Sequence, residues 1–345
     1  MIDWNNYTEE LYNNVHKFKQ ESELKNEAYC NNLLDNIESA IKKYNIDSEE
    51  FFLYNFEKLS EELRNTYVSQ KEYRVTVSNS FDRSNIKNYI SKYNCYLMFK
   101  EYFKRDVIKV ESFDDYDIFK EFVSKHKKYI IKVIDGSLGA NVSVVNVNEN
   151  DSVKNLFFYA LKYGGCIIEE FVNQDSAFAV FNESSVNTIR LTTVCNDGKV
   201  EYLFSLARFG RDNEIVDNGG QGGIISMVDP LTGEVISDGY TEDLVKFTEH
   251  PNSHLTIKGF CVPRWNELLQ MAETLAVMAK GVTVIGWDFA LTDKGWVVIE
   301  ANTQPSIFPI QMLMAQTFNH GIRKEYERLL GKYKNAQKVF DYEKI

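Results

Sequence analysis

The stretch that most constrains this chain is residues 286–306, G-W-D-F-A-L-T-D-K-G-W-V-V-I-E-A-N-T-Q-P-S. Residues 282–291 and 296–302 read as β-rich runs joined by Asp293-Lys294-Gly295. A three-residue hairpin loop with Gly in the left-handed position is a common connection. That loop pairs Thr292 with Trp296, and counting back along both strands sets Asp288 opposite Glu300. Side chains alternate along a strand, so Asn302 shares the face of Glu300. Three oxygen donors converge, and hard oxygen ligands suit Mg²⁺ or Mn²⁺ rather than zinc. A surface hairpin with solvated carboxylates has the same letters. Against it, Val297-Val298-Ile299 should be buried, and a carboxylate following them is costly without a partner.

A second signal lies upstream. Tyr129-Ile130-Ile131-Lys132-Val133-Ile134 reads as a buried strand with one lysine inside it. Gly136-Ser137-Leu138-Gly139-Ala140 follows as a small-residue loop, and residues 142–147 return as a strand. A lysine in an apolar strand needs an anion or must snorkel to water. The loop can lay backbone N–H groups over phosphates. Neither G-x-x-x-x-G-K-[ST] nor G-x-G-x-x-G occurs, so the chain carries neither a P-loop nor a Rossmann fingerprint. Residues 152–163 form a helix closed by Gly164-Gly165, and Cys166-Ile167-Ile168-Glu169-Glu170-Phe171-Val172 continues as a central strand. Residues 185–209 hold β-runs joined by Asn196-Asp197-Gly198, a hairpin signal. Arg190 lies mid-strand there and Arg208 ends the partner strand. Such arginines mark either an anion site or buried ion bridges.

In this order, the lysine strand with its loop, the apolar strand ending Glu-Glu-Phe and the Asp…Glu-x-Asn hairpin resemble the ATP-grasp superfamily. The E-A-N-T-x-P and V-N-T-I-R runs are most similar to its sugar-transfer-associated branch, with a more distant likeness to D-alanine–D-alanine ligases. The resemblance covers roughly residues 85–315. It implies an α/β (α+β) ATP-grasp fold, with nucleotide between two antiparallel sheets and a helical N-terminal region in front. It implies ATP, with Mg²⁺ or Mn²⁺ on Asp288, Glu300 and Asn302. Phosphate contacts would come from Lys132 and from Lys92, which opens a helix, with Lys100 a second choice. The loop at Gly136, Ser137 and Gly139 would fold over the triphosphate. Glu169, Glu170, Phe171 and Val172 would bring the adenine edge, and Gln174 or Asp175 the ribose hydroxyls. Arg190 and Arg208 would stabilise the transferring phosphoryl group or an oxyanion. The segment Asp217-Asn218-Gly219-Gly220-Gln221-Gly222-Gly223 matches a D-N-x-x-x-G-G run near the active site. The activity implied is carboxylate–amine ligation through an acyl phosphate, in surface-polysaccharide or sugar-modification biosynthesis. Two rivals stand on the same fold: a kinase or phosphotransferase, and a non-catalytic nucleotide-binding partner of a glycan-assembly complex.

The rest of the chain sets the frame. Residues 1–83 read as a helical N-terminal region, 84–172 and 173–320 as the two ATP-grasp lobes, and 321–345 as a helical tail. Residues 230–255 are turn-rich and read as an exposed insertion. A formal charge of −11 argues against nucleic acid as a partner and leaves small-molecule carboxylate and amine substrates, possibly sugar-linked. Five scattered cysteines, no basic-then-apolar leader and no apolar run of membrane length point to a reduced, cytoplasmic chain without a membrane span. Oligomeric state is not legible.

Overall fold

The strand-forming runs build two antiparallel sheets in the computed structural model, which describes residues 4–82, 86–134, 142–162, 164–212 and 222–335. The smaller sheet holds β1 (Val107–Val110), β2 (Lys128–Val133), β3 (Val142–Asn146) and β4 (Cys166–Glu170), in the order β1-β4-β2-β3. The helices Tyr116–Lys125 and Val153–Leu161 cover one of its faces. Phe119, Phe122 and Phe157 pack there on Tyr129, Ile131, Cys166 and Ile168. Alternation turns Lys132 and Glu169 to the other face, since Lys132 pairs with Ile167 and Ile130 with Glu169.

The larger sheet runs β11-β10-β5-β6-β7-β8-β9. Its members are β5 (Thr188–Asn196), β6 (Lys199–Phe209), β7 (Ile224–Val228), β8 (Gly239–Tyr240), β9 (Lys246–Phe247), β10 (Val284–Thr292) and β11 (Gly295–Asn302). The β5–β6 turn has Asp197 at φ 53° and Gly198 at φ 82°, the paired positive values of a type I′ hairpin. Residues 230–255 are not simply an exposed insertion: they add β8 and β9 to the sheet edge. Two-residue strands are too short to leave a periodic pattern in sequence. The helix Trp265–Met278 packs behind β5 and β10 through Leu268, Ala272 and Leu275.

The N-terminal helices share a core with this sheet. Leu33, Ile37, Phe51 and Val77 belong to the same buried cluster as Leu191, Leu206 and Trp287. Buried polar bonds stitch the two parts as well. Val68 and Gln311 exchange backbone–amide bonds of 2.9 and 2.6 Å, and Ile307 N–H donates to Gln70 Oε1 at 3.0 Å. These bonds fix the segment that follows Asn302, so the N-terminal region backs the hairpin. Among the described residues no helix is long and apolar enough to cross a membrane.

Candidate nucleotide and metal site

The β10–β11 hairpin sets Asp288 opposite Glu300, by a different count from the one expected. Gly295 has φ 85°, as the loop requires. The ladder pairs Thr292 with Gly295 and Leu291 with Trp296, one residue short of the Thr292–Trp296 pairing. A bulge then intervenes: Phe289 faces Val298, Asp288 faces Glu300, and Ile299 is the extra residue. The bulge restores the register that the shorter turn removes. Without it Asp288 would face Ile299, and Glu300 and Asn302 would point to the opposite side of the sheet.

Burial separates the members of this triad. Asp288 is buried, whereas the Glu300 side chain is 40% exposed, so the expected cost of an unpartnered buried carboxylate does not fall on Glu300. Asp288 has the partners its burial demands. Arg190 Nε donates to Oδ1 and its Nη2 to Oδ2 at 2.6 Å, while Arg208 Nη1 reaches Oδ2 at 3.4 Å. Both arginines are therefore ion bridges to a predicted metal ligand. Burial alone would push the Asp288 carboxyl up, but Arg190, Arg208 and Lys132 together hold it below the ordinary range. Glu300 lies 4.0 Å from Lys92 Nζ, at the start of the helix Lys92–Phe103 capped by Ser91. The Nδ2 atom of Asn302 is buried without a hydrogen-bond partner among the described residues.

Two carboxylates and an amide fit a hard divalent cation. Among the described residues no three His, Cys, Asp or Glu side chains cluster as a metal site. A cation here would complete its shell with water and substrate phosphate, as Mg²⁺ commonly does. The half-exposed Glu300 suits a cation, whereas the orphaned Nδ2 of Asn302 is a donor and calls for an acceptor such as a phosphate oxygen. Asp288 adds a condition: both its oxygens already face guanidinium groups. A cation joining them needs accompanying negative charge.

On the small sheet, the anion beside Lys132 is Glu169, at 2.9 Å. The opposite oxygen of Glu169 is held by Arg105, through Nε at 2.9 Å and Nη2 at 2.7 Å. Burial pushes the Glu169 carboxyl up, but Arg105 and Lys132 bring it down to about 2. Arg105 was not singled out from sequence. Its one signal was indirect, since Glu169 in an apolar strand required a buried cation. These ion pairs set Lys92, Arg105, Lys132, Arg190 and Arg208 against Glu169, Asp288 and Glu300. These named groups leave a local positive surplus in a chain whose net charge is −11.

Comparison with known families decides the lineage. Residues 96–325 match the family model described as sugar-transfer associated ATP-grasp. The chain belongs to that family. The match leaves the N-terminal helices outside it. No protein of curated function matches the chain in sequence. Similar solved structures include D-alanyl-alanine synthetase A from Vibrio cholerae, with 13% identity, a TM-score of 0.46, and coverage of 74% of this chain and 68% of that one. The D-alanine–D-alanine ligase from Coxiella burnetii has 10% identity and a TM-score of 0.44, covering 74% and 61% of the two chains. The Bacillus anthracis D-alanine–D-alanine ligase complexed with ATP has 12% identity and a TM-score of 0.42, covering 75% and 71%. At these values the likenesses carry no argument about substrate.

The remaining predicted residues of this ATP-grasp chain sit at the seam of the sheets. Glu170 lies 3.3 Å from Lys294 at the hairpin tip and accepts from Asp106 N–H at 3.1 Å. Phe171 is half-buried with Lys128 Nζ 3.5 Å from its ring centroid, and Val172 is half-buried beside it. Gln174, expected at the ribose, has protein partners for both amide atoms. Its Nε2 donates to the Asn182 and Ser185 carbonyls at 2.6 and 2.7 Å, and its Oε1 accepts from Asn187. The amide ties down the 174–187 loop instead. Gly136, Ser137 and Gly139, and most of the segment 217–223, lie outside the described residues.

Proposed function

We propose that this chain is a MgATP-dependent ligase that activates a carboxylate as an acyl phosphate and joins it to an amine. The observation that carries the reading is the cluster of lysines and arginines around Asp288, Glu300 and Asn302 in an otherwise acidic chain, which would line a cleft between the two sheets. A polyphosphate with its cation meets both needs of that cleft: phosphate oxygens balance the arginines and lysines, and the cation takes the half-exposed carboxylate. Lys92 and Lys132 hold the phosphates. Residues 169–172 border the base, with backbone groups after Glu169 reading its edge. When bound on Asp288, Glu300 and Asn302, Mg²⁺ supplies charge neutralisation and alignment of the phosphates.

In the first step a substrate carboxylate oxygen bonds to the γ-phosphorus, the bond from that phosphorus to the β-bridging oxygen breaks, and ADP leaves. In the second, an amine lone pair attacks the acyl carbon, inorganic phosphate leaves with the bonding pair, and the amine proton passes to solvent. Arg190 and Arg208, held in place by Asp288, stabilise the negative charge that develops in each step. No side chain forms a covalent bond, so positioning and electrostatics supply the rate. The family description alone favours a sugar-linked acid or amine, in surface-polysaccharide or sugar-modification biosynthesis.

The test is ADP and phosphate release from MgATP with a panel of uronic acids, amino acids and amino sugars, with hydroxylamine in parallel. A hydroxamate that forms only with one acid supports the ligase and identifies the acid. A stable phosphorylated acceptor without hydroxamate would replace the ligase reading with that of a phosphotransferase.

A further inference from the structure

We propose that Arg105 is a positioning residue that sets Lys132 and Glu300 together, from opposite lobes, through one buried guanidinium. Arg105 is 7% exposed and lies in the three-residue link, Lys104-Arg105-Asp106, between the helix Lys92–Phe103 and β1. On the small-sheet side it binds Glu169 Oε2, and Glu169 Oε1 in turn holds Lys132. On the large-sheet side its Nη1 donates to the Val298 carbonyl at 2.5 Å, and its Nη2 to the Ile299 carbonyl at 3.2 Å. The remaining contact is Nη1 to the Phe103 carbonyl at 3.4 Å, with the guanidinium 4.8 Å from the Phe103 ring.

The large-sheet contacts fall on the bulge. A bulged residue leaves the ladder, so the backbone groups beside it need other partners. Arg105 supplies donors to the carbonyls of Val298 and of Ile299, the extra residue itself. The bulge is what turns Glu300 toward Asp288, so Arg105 acts on Glu300 through the backbone. It acts on Lys132 through Glu169. A planar fork with five N–H groups can serve both sides at once, whereas a lysine ammonium is a single point charge. The effect is a cross-brace that keeps the phosphate lysine and the cation carboxylate in fixed relation. Its functional meaning rests on the MgATP reading of the cleft.

The two arms can be read separately. ATP affinity and the Mg²⁺ concentration for half-saturation are measured by calorimetry on the full chain, for wild type and for R105Q, R105K and E169Q. Thermal unfolding of each is followed in parallel. R105Q should weaken ATP affinity and raise the Mg²⁺ requirement, each by about tenfold or more, the scale of losses when supporting groups behind metal ligands are removed. E169Q keeps the carbonyl bonds of Arg105, so it should change ATP affinity while leaving the Mg²⁺ requirement within about twofold, below that same scale. R105K keeps a cation for Glu169 but cannot span both carbonyls, so it should hold ATP affinity within about threefold and still raise the Mg²⁺ requirement. If R105Q does not fold, the contrast between R105K and E169Q carries the test. Loss of stability with both binding parameters unchanged makes Arg105 merely structural and overturns the proposal. Equal effects of R105K and E169Q on both parameters overturn it too. A wild type that binds no MgATP overturns the nucleotide reading and this inference with it, and is told apart because the failure precedes any substitution.

Discussion

Asp288 and Glu300 face each other across one ladder, yet their burial makes them respond differently to the same change. Asp288→Asn leaves Arg190 and Arg208 against a neutral amide in a buried site, and breaking a buried pair costs about 3–5 kcal/mol. Glu300→Gln removes a half-exposed carboxylate and should stay within about 0.5 kcal/mol. Urea denaturation checks the contrast, and both variants should lose ATP turnover. Glu169 gives a pH signature. Its folded pKa of about 2 lies below the unfolded carboxylate value, so its contribution is fully present above about pH 4.5 and is lost as pH falls through 2. That contribution is on the order of 3 kcal/mol, and Glu169→Gln should flatten the urea midpoint between pH 5 and 2 by that part. At this scale the sequence was informative about residue type and silent about pairing. A lysine and two arginines inside apolar strands announced buried anions. Which anions they meet depends on strand order and side-chain reach, so Lys132–Glu169 and Arg190–Asp288 emerged only with the fold.

At the scale of elements, strands and hairpins were legible because period-two runs and turn residues are local signals. The β5–β6 turn offers a clean check. Gly198 has φ 82° and open space where a Cβ would stand, so Gly198→Ala should cost roughly 1–2 kcal/mol from backbone strain alone. Equilibrium unfolding reads that cost directly. The bulge at Ile299 was not legible, because its donors come from Arg105, far away in sequence. The helix Ser48–Leu53 carries another buried group whose behaviour is set from a distance. Glu50 accepts from Gln70 N–H at 2.7 Å and Tyr54 Oη–H at 3.2 Å, and burial pushes its carboxyl up to about 7 despite those bonds. A raised carboxyl pKa favours the folded state most while protonated, so this group's contribution declines as pH rises from about 4.5 through 7. The melting temperature should therefore fall across that window on account of Glu50, and Glu50→Gln should remove that part of the slope.

For the whole molecule, the family match begins at residue 96, but the folded unit begins earlier. Thr76 and Tyr326 share a hydroxyl hydrogen bond of 2.7 Å, and Arg323 pairs with Glu72 at 3.1 Å. With these links and the continuous core, a chain lacking residues 1–82 should not reach a soluble native state, and size-exclusion chromatography with circular dichroism tests that outcome. The helical character of this region was readable from its periodicity. Its role as the backing of the β10–β11 hairpin was not, because Gln70 and Gln311 read as ordinary polar residues until the elements meet. The central claim concerns what the cleft between the sheets holds, and the most direct measurement is calorimetric titration of ATP with and without Mg²⁺, for wild type and Glu300→Gln. The account predicts binding that depends on Mg²⁺ in the wild type and a loss of about tenfold or more in affinity for the variant. ATP binding of equal strength without Mg²⁺ and unchanged in Glu300→Gln would contradict it.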